Sequence, residues 1–335
     1  MSRLMNLQQQ TLVALLVILV CLLFAASLFV GANPLPVLQA ARESLLDTPT
    51  VIGLIFGEIR LPRALIALFT GATLGLAGAA MQGLLRNPLA SPGLIGSASG
   101  AALGAVGMLY FGLGALLPLA VPMGGMAGAL LATFLVYLMA GREAGTLTLI
   151  LAGVAINALA LAMISLLLNL APSPYAVREI VLWMMGSIAN HSMHDLWTLL
   201  PGVLLGWLLL LGTGRSLDVL TLGEETASTM GISLTRLRWR IFLAIALSVG
   251  SAVSITGSIG FIGLVVPHLL RPLVGFQPSR LLLTSALGGA ALLLAADIAT
   301  RLFPAGSDIK VGVLTSLVGA PFFLYIILKS RRYQL

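Results

Sequence analysis

Apolar residues occur along this chain in runs that approach or exceed the length of a membrane-spanning helix. A helix needs about 20 consecutive apolar residues to cross the hydrocarbon core. Ten such runs are present, at residues 11–31, 64–85, 94–112, 115–140, 147–170, 196–214, 241–257, 259–274, 281–300 and 311–328. The eighth is short, and only a tight turn at Gly257 and Ser258 separates it from the seventh. The pattern predicts an all-α polytopic membrane protein with about ten transmembrane helices in a single domain, residues 1–335.

The longest polar interruption runs from Leu220 to Arg240. Glu224 and Glu225 come first, Gly231 lies in the middle, and three arginines follow, at positions 236, 238 and 240. Acidic residues are favoured at helix N-termini and basic residues at C-termini. We therefore predict two short helices joined by a glycine turn, outside the bilayer. An ordinary solvated connector and a contact site for a soluble partner protein both remain open.

Composition supports membrane residence and excludes several other classes of protein. Of the 335 residues, 59% are hydrophobic and only 9% are charged, whereas soluble domains average about 25% charged residues. Mean hydropathy is +1.07. The net charge of +7 is not arranged as a basic helix face interleaved with aromatic residues, so it does not indicate nucleic-acid binding. The lone cysteine, Cys21, excludes a disulfide framework and a cysteine-based metal site.

Lysine and arginine indicate the orientation of the spans. Cytoplasmic loops carry an excess of these residues, and an even number of spans puts both termini on one side. With the termini inside, 12 of the 18 basic residues fall on the cytoplasmic side. The outer ones are Arg42, Arg60, Arg63, Arg178, Arg301 and Lys310. The sequence therefore predicts cytoplasmic termini and a cytoplasmic 220–240 segment.

Arginines on the predicted outer face are candidates for binding a partner. Arg60 and Arg63 open the second span three residues apart, so they share one helix face. Their position at a helix N-terminus is unfavourable for the helix dipole. Glu58 is one local source of compensation, and an acidic external partner is another. Arg301, four residues after Asp297, is predicted to join this surface.

Polar residues at the predicted inner mouth are candidates for a gate. Asn87 and Leu89 follow the second span in a segment that contains Pro88 and Pro92. Thr146 lies in the next inner loop. A proline-rich turn without further function is the alternative. Asn157 in the fifth span either lines a pathway or bonds to a neighbouring helix.

The outer segment between the fifth and sixth spans has helical character. Val177, Ile180, Val181 and Met184 recur at helical spacing, which predicts a short helix over about 176–190 on the outer face. His191 and His194 follow, with Asp195 beside them. A metal site there has no further ligand nearby in the sequence, so we set it aside.

Motifs for chemistry and for energy coupling are missing from the sequence. No phosphate-binding G-x-x-x-x-G-K-[ST] motif occurs, nor H-E-x-x-H, nor a nucleophile with its base. Ionisable residues are scarce in the middle of the spans, where ion-driven transporters usually place them. We therefore expect a non-catalytic transport subunit whose energy comes from elsewhere. An ion-driven secondary transporter or a channel is the alternative.

An ordered set of motifs resembles the FecCD-type permeases, the membrane subunits of type II ABC importers for ferric siderophores, haem and cobalamin. The motifs are RLPR at 60–63, GATLGLAGAAMQGLLRNPLASPGLIG at 71–96, LILAGVAIN at 149–157, WMMGS at 183–187, LGEETASTMGI at 222–232, GSIGFIGLVVPHLLR at 257–271, LLLAADIATR at 292–301 and VGVLTSLVGAPFFLYIILK at 311–329. They cover the chain from about residue 55 to its C-terminal end. The order of the whole set is more specific than any single motif.

The resemblance implies a fold, partners and site residues. It implies ten spans, a dimer with a second permease copy (a homodimer or a pair of related chains), two ATP-binding subunits inside and a periplasmic substrate-binding protein outside. ATP and Mg would be bound by the partner ATPase, so no cofactor is expected in this chain. Residues about 222–236 match the coupling helices, and the candidate contacts there are Gly223, Glu224, Glu225, Ala227, Met230 and Gly231. Arg60, Arg63 and Arg301 match arginines that pair with the binding protein, and Asn87, Leu89 and Thr146 match the cytoplasmic gates.

The expected function is import of an iron chelate across the bacterial inner membrane, by alternating access driven by the partner ATPase. A ferric siderophore is the first candidate substrate, with haem and cobalamin as alternatives.

Overall fold

A computed structural model describes residues 2–31, 36–46, 50–141, 145–303 and 309–331. Arg142 and Arg332, two of the predicted inner basic residues, lie outside the described residues. The described part of the chain contains α-helices and no β-strand. The α-helices are α1 (Ser2–Phe29), α2 (Val37–Glu43), α3 (Val51–Leu54), α4 (Leu61–Leu84), α5 (Ser97–Tyr110), α6 (Leu113–Leu116), α7 (Ala120–Ala140), α8 (Thr146–Asn169), α9 (Pro174–Met184), α10 (Met193–Leu210), α11 (Thr213–Leu220), α12 (Glu224–Thr229), α13 (Leu234–Thr256), α14 (Ile262–Leu270), α15 (Pro278–Arg301) and α16 (Val311–Arg331). A π-helical stretch, Ile55–Arg60, leads into α4, and 3-10 turns form at Pro92–Ile95 and Pro272–Val274.

Each of the ten predicted apolar runs falls on one of these helices, and the all-α fold is confirmed. Seven helical segments among the described residues are long and apolar enough to cross a membrane. The spans predicted at 94–112 and 311–328 correspond to shorter apolar helices, at 97–110 and 311–325. The eighth run contains only the nine-residue helix α14 and a 3-10 turn. Nine residues rise only about 13 Å, so α14 cannot cross the hydrocarbon core by itself.

The centre of the bundle is formed by α4 and α13, whose apolar windows are each 78% buried. The apolar window of α1 is only 11% buried, so this helix lies at the periphery. Helix α4 packs against α15, α5 against α7, and α10 against α13. The main apolar core accordingly joins side chains from α4, α10, α13 and α15, such as Ile66, Leu199, Phe242 and Leu293.

Glycines permit the close approach of these helices. A Cβ atom at Gly75 of α4 would lie 2.0 Å from the carbonyl oxygen of Ser285 on α15. On α5, a Cβ at Gly104 would lie 2.0 Å from the carbonyl oxygen of Gly124 on α7. Small residues at helix interfaces are typical of packing in lipid, where backbones approach closely. The structure thus supplies a physical reason for glycines at these helix contacts.

The predicted outer helix forms, with different bounds. Helix α9 covers Pro174–Met184, whereas the expectation was about 176–190. Its start is set by Ser173, whose hydroxyl accepts the backbone N–H of Ala176 at 3.2 Å. The chain leaves the helix at Gly186, which has a φ of +72°. A left-handed glycine after the last helical turn is a standard termination signal, and the apolar spacing alone did not reveal it.

Candidate functional site

The predicted inner loops meet at one end of the bundle and the outer segments at the other. At the first end, hydrogen bonds join Thr146 to Glu224 and Arg271 to Gln82. At the second, Asp297 binds Arg63 and Arg301. We call these the Glu224 end and the Asp297 end.

Glu224 joins three helices. Its carboxylate accepts two hydrogen bonds from Arg238 Nη2, each at 3.0 Å. It also accepts the hydroxyl of Thr146 at 3.5 Å. Thr146 is the first residue of α8, and Arg238 lies in the first turns of α13. The short helix α12 is therefore attached at its first residue to the starts of two long helices.

Of the two short helices predicted between Leu220 and Arg240, the first is present and the second is not. Helix α12 forms and ends in a turn at Gly231, which has a φ of +86°. The second half is instead the beginning of α13, because Ser233 accepts the backbone N–H of Arg236 and caps that helix. No proline follows before Thr256, so the arginine segment continues into the apolar span. The arginines therefore stand at a helix N-terminus, and Glu224 supplies the charge compensation that Arg238 needs there.

A second carboxylate anchors the chain just before α12. Asp218 of α11 accepts the backbone N–H of Ser279 at 2.7 Å and the side-chain amide of Gln277 at 3.1 Å. These are donors at the N-terminus of α15, where an anion is favoured by the free N–H groups and the helix dipole. The segment 221–233 is thus attached to α15 by Asp218, just before its start. Glu224, near its beginning, attaches it to α8 and α13.

Helix α8 connects Glu224 to the loop that follows α4. Asn157 of α8 donates from Nδ2 to the carbonyl oxygen of Gly93 at 2.7 Å and accepts the hydroxyl of Ser99. A Cβ at Gly153 would lie 1.6 Å from the carbonyl oxygen of Leu94, so the backbones touch there. Asn157 was expected either to line a pathway or to bond to a neighbouring helix. The structure shows hydrogen bonds to a neighbouring segment.

The candidate gate residues Asn87 and Leu89 belong to that loop. The side chain of Asn87 accepts the backbone N–H of Leu89 at 2.9 Å and fixes the turn. Leu89 is exposed and lies in a shallow groove with Leu264, His268 and Phe323. Among the described residues, no hydrogen bond joins Thr146 directly to Asn87 or Leu89. The connection between them runs through α8 and the turn Pro92–Ile95.

At the Asp297 end, the side chains of two of the three arginines predicted for the outer face, Arg60 and Arg301, are largely buried. Arg60 is only 6% exposed. Its guanidinium donates to the carbonyl oxygens of Leu28 and Phe29 at 2.8 and 3.1 Å. The side chain of Arg301 is 8% exposed and donates to the carbonyl oxygens of Ser27 and Val30 at 2.7 and 3.0 Å. Both arginines therefore satisfy the last carbonyls of α1, where the helix dipole favours positive charge.

The compensating anion is Asp297, and Glu58 remains exposed. Asp297 is buried and forms ion pairs with Arg63, at 2.9 Å, and with Arg301. Arg63 keeps 22% of its side chain exposed. Two cations thus share one buried carboxylate, and Arg63 is the more accessible of the two.

The histidines of the outer segment take part in helix capping. Asp195 accepts the backbone N–H of Ser192 at 2.8 Å and its hydroxyl at 3.2 Å, which caps α10. His191 Nδ1 lies 3.5 Å from the same carboxylate. Among the described residues, no group of three or more His, Cys, Asp or Glu side chains is placed to hold a metal ion.

Sequence reasoning missed the roles of Asp218, Arg238 and Asp297 as anchors. Asp218 and Ser279 are 61 positions apart, and Arg63 and Asp297 are 234 positions apart. No local pattern reports such pairs. The only available signal was the cost of an uncompensated charge beside a span, which indicates that a partner exists without saying which one.

Comparison with known proteins places this architecture in a family. A model of the FecCD transport family matches residues 16–329. The hemin transport system permease protein HmuU of Yersinia pestis is 39% identical over an alignment of 337 positions that covers 98% of each chain. The cobalamin import system permease protein BtuC of Halobacterium salinarum is 40% identical over 302 residues, covering 89% of this chain and 80% of that protein.

A solved structure has the same fold. It shows an inward-facing conformation of a metal-chelate type ABC transporter. Its TM-score to this chain is 0.81 at 33% sequence identity, and the match covers 96% of this chain and 99% of the other.

Proposed function

The chain belongs to the FecCD transport family, and from that premise we propose that it is the permease subunit of an ABC importer for an iron chelate. A ferric siderophore is the first candidate cargo, and haem and cobalamin are the alternatives. The relatives named for hemin transport and cobalamin import support the two alternatives. The importer would lie in the bacterial inner membrane with the Glu224 end and both termini in the cytoplasm.

The observation that carries the proposal is the attachment of α12 through Glu224. An imported chelate needs a pathway that opens alternately to each side, so an energy source must act on the gate. Helix α12 is short and mostly exposed, and it is bonded to the starts of α8 and α13. A force on α12 is therefore transmitted to two spans. Through Asn157 and Gly153 of α8, it also reaches the loop that contains Asn87 and Leu89.

In this mechanism the partner ATPase binds the solvent-exposed surface of α12 and the residues on either side of it. The exposed side chains of Glu225 and Met230 face solvent and are available for that contact. Gly223 and Gly231 flank the helix with φ values of +112° and +86°, conformations that glycine adopts most readily. Ala227 is buried and packs in the main apolar core of the chain. ATP and Mg would be held by the ATPase, and no step of hydrolysis is assigned to this chain.

We assign the gate to Thr146, Asn87 and Leu89. The binding protein is proposed to dock at the Asp297 end. Arg63 is the main candidate for pairing with an acidic group of the binding protein, because it keeps the largest exposed fraction of the ion-paired arginines. Arg60 and Arg301 would contribute through the positive potential of the surface and by holding α1. A second copy of the chain is proposed to complete the pathway.

A substitution at Glu224 tests the transmission step. Glu224→Gln keeps the shape of the side chain but removes the charge that binds Arg238. A partly exposed ion pair is worth about 1 kcal/mol, which is about fivefold in a two-state equilibrium. We expect the variant to retain bound ATPase but to import several-fold less chelate per ATP hydrolysed. The measurement is uptake and hydrolysis in the same proteoliposomes.

Arg215→Gln is the matched control, because Arg215 is exposed on α11 at the same end of the molecule. It should leave the ratio of uptake to hydrolysis unchanged. Unaltered coupling in Glu224→Gln would remove the transmission role. Competition between a ferric siderophore, haem and cobalamin in the wild-type assay identifies the cargo.

A further inference from the structure

A cavity at the Glu224 end carries positive charge that the transport mechanism does not use. It has a volume of about 180 Å³ and lies between the C-terminal end of α4, the residue after α11 and the segment that joins α14 to α15. Its lining includes the polar side chains Gln82, Arg86, Thr221 and Arg271 and the apolar side chains Phe276 and Leu281. No Asp or Glu lines it among the described residues.

Arg271 lines this cavity and has a buried side-chain donor without a partner among the described residues. Its Nη2 donates to the side-chain oxygen of Gln82, which is itself buried and donates to the carbonyl oxygen of Leu264 at 3.3 Å. Its Nε is buried and has no hydrogen-bond partner in the described part of the chain. A buried donor without a partner is rare, and such a donor calls for a missing ligand or water.

Arg86 supplies a second guanidinium. It follows α4 with a φ of +48°, a conformation that is uncommon for a residue other than glycine. Its side chain is exposed and makes no hydrogen bond or ion pair with the residues that the structure describes. The nearest acidic group on α11, Asp218, is already engaged with Ser279 and Gln277. Among the residues that the structure describes, no acidic side chain neutralises the positive charge of the cavity.

From these observations we infer that the cavity is a binding site for a phosphate-bearing anion. Guanidinium groups match phosphate oxygens in charge and hydrogen-bonding geometry. The side-chain amide of Gln82 holds Arg271 in place, and Arg86 closes the site from the exposed side. The cavity is large enough for a phosphate group with its first substituents.

The setting of the cavity favours the phosphate of an anionic lipid. Leu273 and Phe276, on the segment beside Arg271, have exposed apolar side chains. Apolar side chains next to arginines are typical of a segment at the membrane interface. With the proposed orientation, the cavity faces the cytoplasmic leaflet, where basic pockets between transmembrane helices bind anionic head groups. Free phosphate is the other source of the same chemistry.

The test uses the purified full-length chain, stripped of lipid in detergent. Its thermal-unfolding midpoint is measured while phosphatidylglycerol, diacylglycerol or inorganic phosphate is titrated in. We expect saturable stabilisation by phosphatidylglycerol and none by diacylglycerol, which lacks the phosphate. The same saturable response to inorganic phosphate, with the same dependence on Arg86, would assign the site to free phosphate.

Substitutions of single arginines test whether phosphatidylglycerol binds at the cavity. Arg86→Gln should weaken apparent phosphatidylglycerol affinity about fivefold, the contribution of one basic residue near an anionic surface. Arg271→Gln should weaken it at least as much. Arg86→Gln leaves every described hydrogen bond intact, so its result stands even if Arg271→Gln fails to fold. Arg215→Gln, an exposed arginine outside the cavity lining, is the control and should leave the affinity unchanged.

Two results would overturn the inference. Equal affinities for wild type and Arg86→Gln would remove the site. Equal losses in Arg86→Gln and Arg215→Gln would reduce the effect to general surface charge.

Discussion

Asp297 shows how a single residue determines the arrangement of charge at one end of the molecule. Arg60 and Arg63 precede or open α4, where cations oppose the helix dipole. In the fold, Arg60 instead meets the C-terminal carbonyls of α1, and Arg63 meets Asp297. Helix α1 has no basic residue in its own last turn. The cations that its terminus lacks are supplied by Arg60 and by Arg301 from α15.

Replacing Asp297 should destabilise the chain strongly. Asp297→Asn removes the one buried anion that Arg63 and Arg301 share. Breaking a buried ion pair by removing one partner costs about 3–5 kcal/mol, so the thermal-unfolding midpoint in detergent should fall markedly. Glu58→Gln, an exposed acid near the same surface, should have little effect. If Glu58→Gln were the more damaging variant, the local compensation first considered for Arg60 would be correct.

The sequence indicated which arginines needed charge compensation but did not identify the groups that provide it. An arginine beside a span must be compensated, and that expectation was confirmed at Arg60, Arg63 and Arg301. The partners of Arg60 and Arg63 come from α1 and α15, far away in the chain, so local spacing pointed instead to Glu58. Glu224 was singled out as part of the polar interruption. Its bonds to Thr146 and Arg238 became visible only when the helices were in place.

Secondary-structure elements follow the apolar pattern closely, apart from their ends. The ten apolar runs each contain a helix because a lipid-facing backbone must satisfy its hydrogen bonds internally. Helix ends depend on caps such as Ser233 and on left-handed glycines such as Gly186. For that reason, α13 begins seven residues before the predicted span. The short α14 could not be recognised from hydropathy, because an apolar run does not reveal where its helix stops.

Helix packing through glycine gives a prediction with an internal control. Gly104→Ala places a methyl group 2.0 Å from the carbonyl oxygen of Gly124, so α5 and α7 must separate. Overpacking of this kind costs about 1–3 kcal/mol. Gly107→Ala, on the same helix, meets no atom within 4 Å. It should be neutral or stabilising by up to about 1 kcal/mol, because alanine favours helix.

Thermal unfolding of the two alanine variants in the same detergent tests whether the close contact of α5 and α7 determines their stability. A lower midpoint for Gly104→Ala together with an unchanged or higher midpoint for Gly107→Ala is expected. Similar midpoints would mean that helix propensity, and not the closeness of α5 and α7, dominates at these positions.

At the scale of the whole molecule, the two clusters of charge define two faces. The Glu224 end gathers the predicted inner loops, and the Asp297 end gathers the predicted outer ones. This grouping agrees with a single topology in which helices alternate in direction. The distribution of lysine and arginine predicts that the Glu224 end faces the cytoplasm.

Cysteine labelling tests that assignment. The sole cysteine, Cys21, is first changed to serine. Met230→Cys and Leu302→Cys then place single thiols at exposed positions of the Glu224 end and the Asp297 end. A membrane-impermeant thiol reagent applied to spheroplasts should label position 302 and leave position 230 unlabelled until the cells are opened. The reverse pattern would invert the topology and remove α12 from the reach of a cytoplasmic ATPase.

The central claim is that this chain forms a pathway whose work is done by another subunit. The most direct measurement is chelate accumulation in proteoliposomes that contain the chain with its copurified ATPase and binding protein, compared with the chain alone. We predict accumulation that requires ATP and both partners, and none from the chain alone under a proton or sodium gradient. Accumulation by the chain alone, driven by an ion gradient without ATP, would contradict the account.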